Sequence, residues 1–193
     1  MKAFFEIEKD EDFKKFTEQY GKMLNYAVTV DTNGNVISRY AKVHPYSHGI
    51  EAKFFSPGQT PEWFHIKGVT ASPLLCYDAR FPEMFQILSR KSRLIIICAC
   101  WPDIRVPSYD IILKARAIEN QAFIAVTNRV GIEMKYNYNG HSQVVNPYGQ
   151  VLTEICEDET LIIADLDISQ ADEYRTSFDV KKDRKPDFYK KWL

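Results

Sequence analysis

Arg93-Leu94-Ile95-Ile96-Ile97-Cys98-Ala99-Cys100 is of strand length and unbrokenly apolar from Leu94 on. A strand with one wet face alternates apolar and polar residues. A continuous run marks a strand buried on both faces, as inside parallel sheets. Parallel neighbours need crossover connections, usually helical, and the sequence supplies one on each side. Upstream, the short run Pro73-Leu74-Leu75-Cys76 is followed by Arg80–Lys91, with Phe81, Phe85 and Leu88 at helical spacing. Downstream, Ser108 is placed to cap a helix reaching Gln121, with Ile111, Ala115, Ile118 and Ala122 on its inner face. Ala122–Asn128 then reads as another buried strand. This strand–helix–strand–helix–strand order predicts an α/β domain on a mixed sheet.

Hairpins extend the pattern outward. Asn25–Asp31 and Asn35–Lys42 flank Thr32-Asn33-Gly34, and Asn-Gly is a strong hairpin signal. His65–Thr70 and Leu74–Cys76 read as a strand pair or as one interrupted strand. Gln143–Asn146 and Val151–Ile155 flank the turn Pro147-Tyr148-Gly149, and Thr160–Leu166 predicts a further strand. Residues 10–22 place Phe13, Phe16 and Tyr20 on one side of a charged helix. The basic tail, Lys181 to Lys191, is expected over the surface or a subunit interface.

The 193 residues carry 25 Lys+Arg against 26 Asp+Glu, and 45% are hydrophobic. That suffices for a full core, and the balanced charge gives no reason to expect nucleic acid as a partner. The longest apolar stretch, Leu94 to Trp101, is too short to cross a membrane. Glu6 and Glu8 break any N-terminal apolar run, so no signal peptide is expected. Cys76, Cys98, Cys100 and Cys156 are too few and too irregular for a disulfide scaffold or a zinc site. A reducing, cytoplasmic setting without a metal follows as the expectation.

Cys76 carries the chemical interest. It closes an apolar run just before a helix, so a strand-to-helix turn presents it at the sheet's carboxyl edge. A helix N-terminus there stabilises a thiolate. The alternative is a buried core cysteine, a reading that suits Cys98 and Cys100 inside their strand. A thiol nucleophile needs a base and a cation for the developing oxyanion. Lys42 ends a strand before His44-Pro45, and Glu51 lies in a loop closed by Ser56-Pro57-Gly58. Alone, such loop charges are usually solvated, and a histidine like His44 is more often a packing group.

Together, however, Tyr40-Ala41-Lys42-Val43-His44-Pro45, Glu51, Ser56-Pro57-Gly58 and Leu75-Cys76-Tyr77-Asp78-Ala79-Arg80-Phe81-Pro82-Glu83 resemble the lysine and cysteine signatures of the nitrilase superfamily of carbon–nitrogen hydrolases. Trp101-Pro102, Ala115–Gln121, Asn128–Gly131, Gly140-His141-Ser142 and Asn146–Gly149 continue the resemblance in order, over about residues 25 to 190. The blocks Trp101–Arg105, Ala115–Gln121 and Asn128–Gly131 are most similar to the omega-amidase branch, which hydrolyses the terminal amide of 2-oxo acid amides.

The resemblance implies a nitrilase-like α-β-β-α sandwich, its four layers formed when two such domains pack face to face, and a homodimer or larger homo-oligomer. It implies a small-molecule amide substrate and no cofactor. By that analogy Cys76 attacks the amide carbonyl, Lys42 and the N–H after Cys76 hold the oxyanion, and Glu51 orients Lys42 and water. Trp101 and Arg105 are expected at the substrate, Tyr77 through its backbone. Arg80, Glu83, Arg116 and Glu119 are expected as ion pairs bracing the turn.

One family feature is missing from the sequence. The general-base glutamate belongs to a Pro-Glu block that is not found. Residues 1–24 therefore read as an atypical segment before a partial, N-terminally shortened domain over 25–193. Glu6, Glu8, Glu11 and Glu18 follow neither a proline nor a buried strand. Either the base is lost, or a glutamate from this segment or a partner chain replaces it. The expectation is convergence of Lys42, Glu51 and Cys76 without those four glutamates, and weak or absent amidase activity. The rival expectation is a non-catalytic member that binds a ligand or a partner subunit.

Overall fold

The computed structural model describes residues 21, 23–133 and 135–192. The helix expected over 10–22 falls almost wholly outside the described residues, as do Glu6, Glu8, Glu11 and Glu18. β1 (Tyr26–Val30) and β2 (Val36–Ala41) pair antiparallel across the Asn-Gly turn. Asp31 closes that turn by accepting the N–H groups of Asn33 and Asn35, each at 2.8 Å. A single helical turn, α1 (Glu51–Phe54), follows.

Next come β3 (Phe64–Ile66), β4 (Val69–Leu75), α2 (Pro82–Leu88), β5 (Leu94–Ala99), α3 (Val106–Asn120) and β6 (Phe123–Asn128). β7 (Val130–Glu133) and β8 (Tyr136–Asn139) form a separate hairpin, and β9 (Gln143–Val145) returns to the main sheet. The tail holds α4 (Ser169–Ser177) and α5 (Pro186–Tyr189). In the main sheet the order is β3-β4-β5-β6-β9, with β4, β5 and β6 parallel and the two edge strands antiparallel.

β5 divides its side chains between two clusters, as its continuous apolar run requires. Ile95 and Ile97 join Leu74, Ile124 and Val126 under Phe85 and Leu88 of α2 and Tyr109 and Leu113 of α3. Leu94 and Ile96 face the other way, with Phe123 and Ala125 beneath Leu166, Ile168 and Ala171. The second covering is short. Cys98 and Cys100 are therefore exposed, not core residues as their strand position suggested.

Other expected elements change in the structure. Of the two readings for residues 65–76, the structure has a strand pair, but with other bounds: the β3–β4 hairpin, turning at Lys67-Gly68 with φ of 46° and 80°. Nothing in a lysine announces a left-handed turn. Pro73 sits within β4 because pairing with β3 stops at Ala71, and the register turns the Pro73 nitrogen toward that vacated side.

α3 begins at Val106 with Pro107 in its first turn, where a proline's fixed φ and missing N–H fit, so Ser108 is not the cap. Its inner stripe is Tyr109, Leu113, Arg116, Ala117 and Asn120, while Ile111 is 70% exposed. Two buried polar residues displaced the apolar reading because both are hydrogen-bonded: Arg116 to two carbonyls, Asn120 to Ser89 Oγ and Arg116 O.

Val151 makes one isolated bridge to Val145, and Thr160–Leu166 has no strand partner among the described residues. Along residues 161–168 exposure still alternates, leaving Leu161 83% exposed. The sequence carries strand periodicity, but a strand also requires a neighbour. The basic tail lies partly on α2, with Arg184 hydrogen-bonded to Gln86. Among the described residues no helix is long and apolar enough to cross a membrane.

The inner stripe of α3 is testable by a matched pair. Leu113→Ala should cost about 2–5 kcal/mol in urea unfolding, because Leu113 is fully buried. Ile111→Ala should stay within about 0.5 kcal/mol. Equal losses would put Ile111 back on the inner face.

Candidate active site

β4 delivers Cys76 to the carboxyl edge of the parallel strands, where the chain enters a tight 3₁₀ turn over Cys76–Arg80. Cys76 has φ of 44°. A side chain in the left-handed region costs energy, and surrounding structure has to enforce it. Asp78 supplies that enforcement. Its buried carboxylate accepts the Leu75 N–H at 3.2 Å, the Tyr40 hydroxyl at 2.8 Å and the His44 N–H at 3.0 Å. His44 Nδ1 lies 2.8 Å from the same group, and the His44 ring stacks on Phe81. From the other side, Trp101 Nε1 donates to Cys76 O at 3.3 Å. Arg116 donates to Ala79 O at 3.2 Å and to Arg80 O at 2.9 Å.

Lys42 is 3% exposed and donates to Glu51 Oε2 at 2.6 Å. Asn25 Nδ2 donates to Glu51 Oε1 and the Tyr46 N–H to Oε2, each at 2.8 Å. Gly58 makes the surrounding loop possible. Its N–H donates to Lys42 O at 2.8 Å, and any Cβ there would meet Ala41 O at 2.1 Å. The Ser-Pro-Gly motif thus closes over the backbone of the lysine strand.

Burial raises the Glu51 pKa, but Lys42, the Tyr46 N–H and Asn25 outweigh it, and the net shift is downward. Cys76 goes the other way. Burial pushes its thiol up, with help from Cys100 and Glu51, and neither Lys42 nor the Cys100 N–H fully offsets this. Both Lys42 and Glu51 therefore lie within electrostatic reach of the sulfur. The arrangement provides a thiol on a strained turn, a buried ammonium and a carboxylate that fixes the ammonium.

The remaining residues expected at the site divide. Tyr77 stands edge-on to Tyr46 and Phe81, at centroid distances of 5.0 and 5.2 Å. The Arg105 guanidinium lies 5.4 Å from the Tyr46 ring centroid, so Arg105, Tyr46 and Tyr77 share one wall. Trp101 is 4% exposed and lies beneath the turn, with Arg80 stacked 4.5 Å over its ring. It offers a substrate little surface.

Of the four residues expected as ion pairs, Arg116 and Glu119 pair at 3.1 Å. Arg80 stacks instead, and Glu83 has no ion pair among the described residues. The sequence reading missed Asn25 and Tyr46 as supports of Glu51, and Asn128, whose side chain clasps both Trp101 N and Trp101 O. Tyr40 and Asp78 lie inside the lysine and cysteine motifs, and an acid two residues after the cysteine is the only sequence signal of their bond. Among the described residues no group of three or more His, Cys, Asp or Glu is arranged to hold a metal.

The carbon-nitrogen hydrolase profile matches residues 8–176. The chain belongs to the carbon-nitrogen hydrolase family. It is 35% identical over 166 residues to the 2-oxoglutaramate amidase of Bacillus subtilis, covering 86% of this chain and 64% of that protein, so it spans under two thirds of that relative. It is 32% identical to the "Hydrolase in agr operon" of Staphylococcus lugdunensis, over 98% of this chain and 88% of the relative.

A carbon-nitrogen hydrolase structure from Helicobacter pylori superposes with a TM-score of 0.84 at 22% identity, covering 99% of this chain and 79% of that one; it shares the fold. An amidase from Nesterenkonia sp. superposes at 0.74 with 31% identity, over 87% of this chain and 60% of that one.

The Glu51 network makes a pH prediction. Because its pKa is lowered on folding, its ionised form stabilises the fold above the ordinary carboxylate value of 4.5, and that contribution is lost as pH falls through and below it. Glu51→Gln should cost about 1–3 kcal/mol at pH 7 in urea unfolding. The gap from the wild type should shrink between pH 6 and pH 3. A gap independent of pH would contradict the ionic role.

Proposed function

We propose that this chain hydrolyses the carbon–nitrogen bond of a small carboxylate-bearing amide through a cysteine acyl-enzyme, in the manner of an omega-amidase. The observation that carries the reading is the 2.6 Å Lys42–Glu51 pair beside a cysteine held at φ 44°. Cys76 Sγ attacks the amide carbonyl and its proton goes to the leaving nitrogen. The C–N bond breaks, ammonia departs and a thioester remains, which water hydrolyses to the acid. The Lys42 ammonium and the Tyr77 N–H stabilise the oxyanion. Arg105 pairs with the substrate carboxylate at the Tyr46 wall. Support comes from the 2-oxoglutaramate amidases of Bacillus subtilis and Paenarthrobacter nicotinovorans among the relatives. A Nesterenkonia amidase mutant, 31% identical, carries the acetamide moiety of fluoroacetamide covalently on its active-site cysteine.

Turnover at neutral pH is slow in this reading. Glu51 already holds three donors and its pKa is lowered, so it is a poor base. The Cys76 thiol is raised and is mostly protonated at pH 7. A glutamate from outside the described residues, or from a partner chain, would restore the base; without one, general-base loss costs about 10²–10⁴-fold. The same observation favours a second reading, a non-catalytic member that binds the ligand. The chain works in a reducing compartment, where its four free cysteines persist. It also pairs with a second copy through the exposed row Ile104, Ile111 and Ile118.

Succinamate and 2-oxoglutaramate are the substrates to try. Ammonia release should rise from pH 7 to pH 9 and vanish in Cys76→Ala, with a thioester adduct on Cys76 by mass spectrometry. A bound but unmodified ligand would favour the binding reading, and full activity in the variant would remove Cys76 from the mechanism. Light scattering at micromolar concentration should give a dimer or larger; a monomer would remove the pairing.

A further inference from the structure

A concavity of about 490 Å³ contains none of Lys42, Glu51 or Cys76. It forms where the chain leaves α2, where β5 begins and where α4 runs into the tail. Arg93 precedes β5, its N–H bonded to Thr70 O at 3.0 Å near the start of β4. Cys76 follows the last residue of β4. The two sites therefore occupy opposite edges of the parallel strands, about 20 Å apart along them.

Charge distinguishes this pocket. Arg90, Arg93, Arg175, Lys181 and Lys182 line it, against only Asp172 and Asp179. Arg93 is paired with Asp172, whereas Arg90 and Lys182 enter no ion pair among the described residues. The wall is built, not loose. Arg175 donates from Nε to Gln121 O at 3.0 Å, and from Nη2 to Ser92 O at 2.9 Å and Asn120 O at 3.1 Å. Lys181 Nζ donates to Ser89 O at 2.8 Å. Burial, then the fields of Arg175 and Arg93, push Lys181 down to about 7, and Asp179 offsets only part of this. Arg175 is likewise pushed down to about 10 by burial and by Arg93. These cations repel one another, and carbonyl dipoles hold two of them in place.

We propose that this pocket binds a phosphate-type oxyanion, either free orthophosphate or the phosphate group of a small metabolite. A dianion among these cations converts mutual repulsion into attraction. Guanidinium forks match phosphate oxygens in pairs, and lysines add point charge. The volume falls within the roughly 300–1,000 Å³ of small-molecule sites, and so polar a lining selects a charged ligand. The pocket shares no lining residue with the Cys76 site.

Thermal unfolding of the full chain tests it, with ionic strength held constant by potassium chloride. Orthophosphate and ribose 5-phosphate form separate arms, and the larger shift at equal concentration identifies the source. A saturable rise of about 5–10 °C is expected at a hundredfold excess over Kd. Arg90→Glu with Lys182→Glu, both exposed, should abolish the rise while circular dichroism stays unchanged. The proposal fails if neither arm raises the midpoint, if chloride alone reproduces the rise, or if the double variant keeps it.

Discussion

A carboxylate sealed from water needs donors around it, and Asp78 draws them from three segments of the chain. Leu75 belongs to the end of β4, Tyr40 to β2 and His44 to the loop beyond it. Lys42 lies midway between Tyr40 and His44, and Cys76 lies between Leu75 and Asp78. The position of the ammonium relative to the sulfur is therefore fixed by this one acid. Losing it would leave several buried donors unmet, each costing about 1–3 kcal/mol. The geometry of the site and the stability of the fold share this interaction.

The second shared element is the turn itself. Trp101 and Arg116 reach the carbonyls of Cys76, Ala79 and Arg80 from β5's end and from α3. These carbonyls sit in a tight turn with few partners of its own, so long side chains from neighbouring elements complete it. Buried Arg116 is thus explained by where its donors go. The same logic recurs at the opposite edge of the sheet, where Arg175 and Lys181 satisfy carbonyls near the ends of α2 and α3.

Legibility in the sequence followed the kind of force involved. The parallel centre was readable because a strand buried on both faces must be continuously apolar, and β5 is. The first hairpin was readable because Asn-Gly fits its turn at low cost. Features that depend on a partner were not readable. Thr160–Leu166 has strand periodicity but no described neighbour, and the inner face of α3 includes Arg116 and Asn120 because distant groups satisfy them. For the candidate site, resemblance supplied Lys42, Glu51 and Cys76 as a set, whereas spacing alone did not. Asn25 and Tyr46 carry no local signature of holding a glutamate. Their role exists only once the loop has closed.

The left-handed backbone at Cys76 has a consequence for how this position responds to mutation. Glycine adopts such a conformation without steric cost, so replacement by glycine there relieves strain in the native state even though it loosens the unfolded chain. Alanine retains the strain and removes only the sulfur. Drift constrained by folding alone would therefore run away from any side chain at position 76. A thiol there sits uphill of what the fold itself prefers.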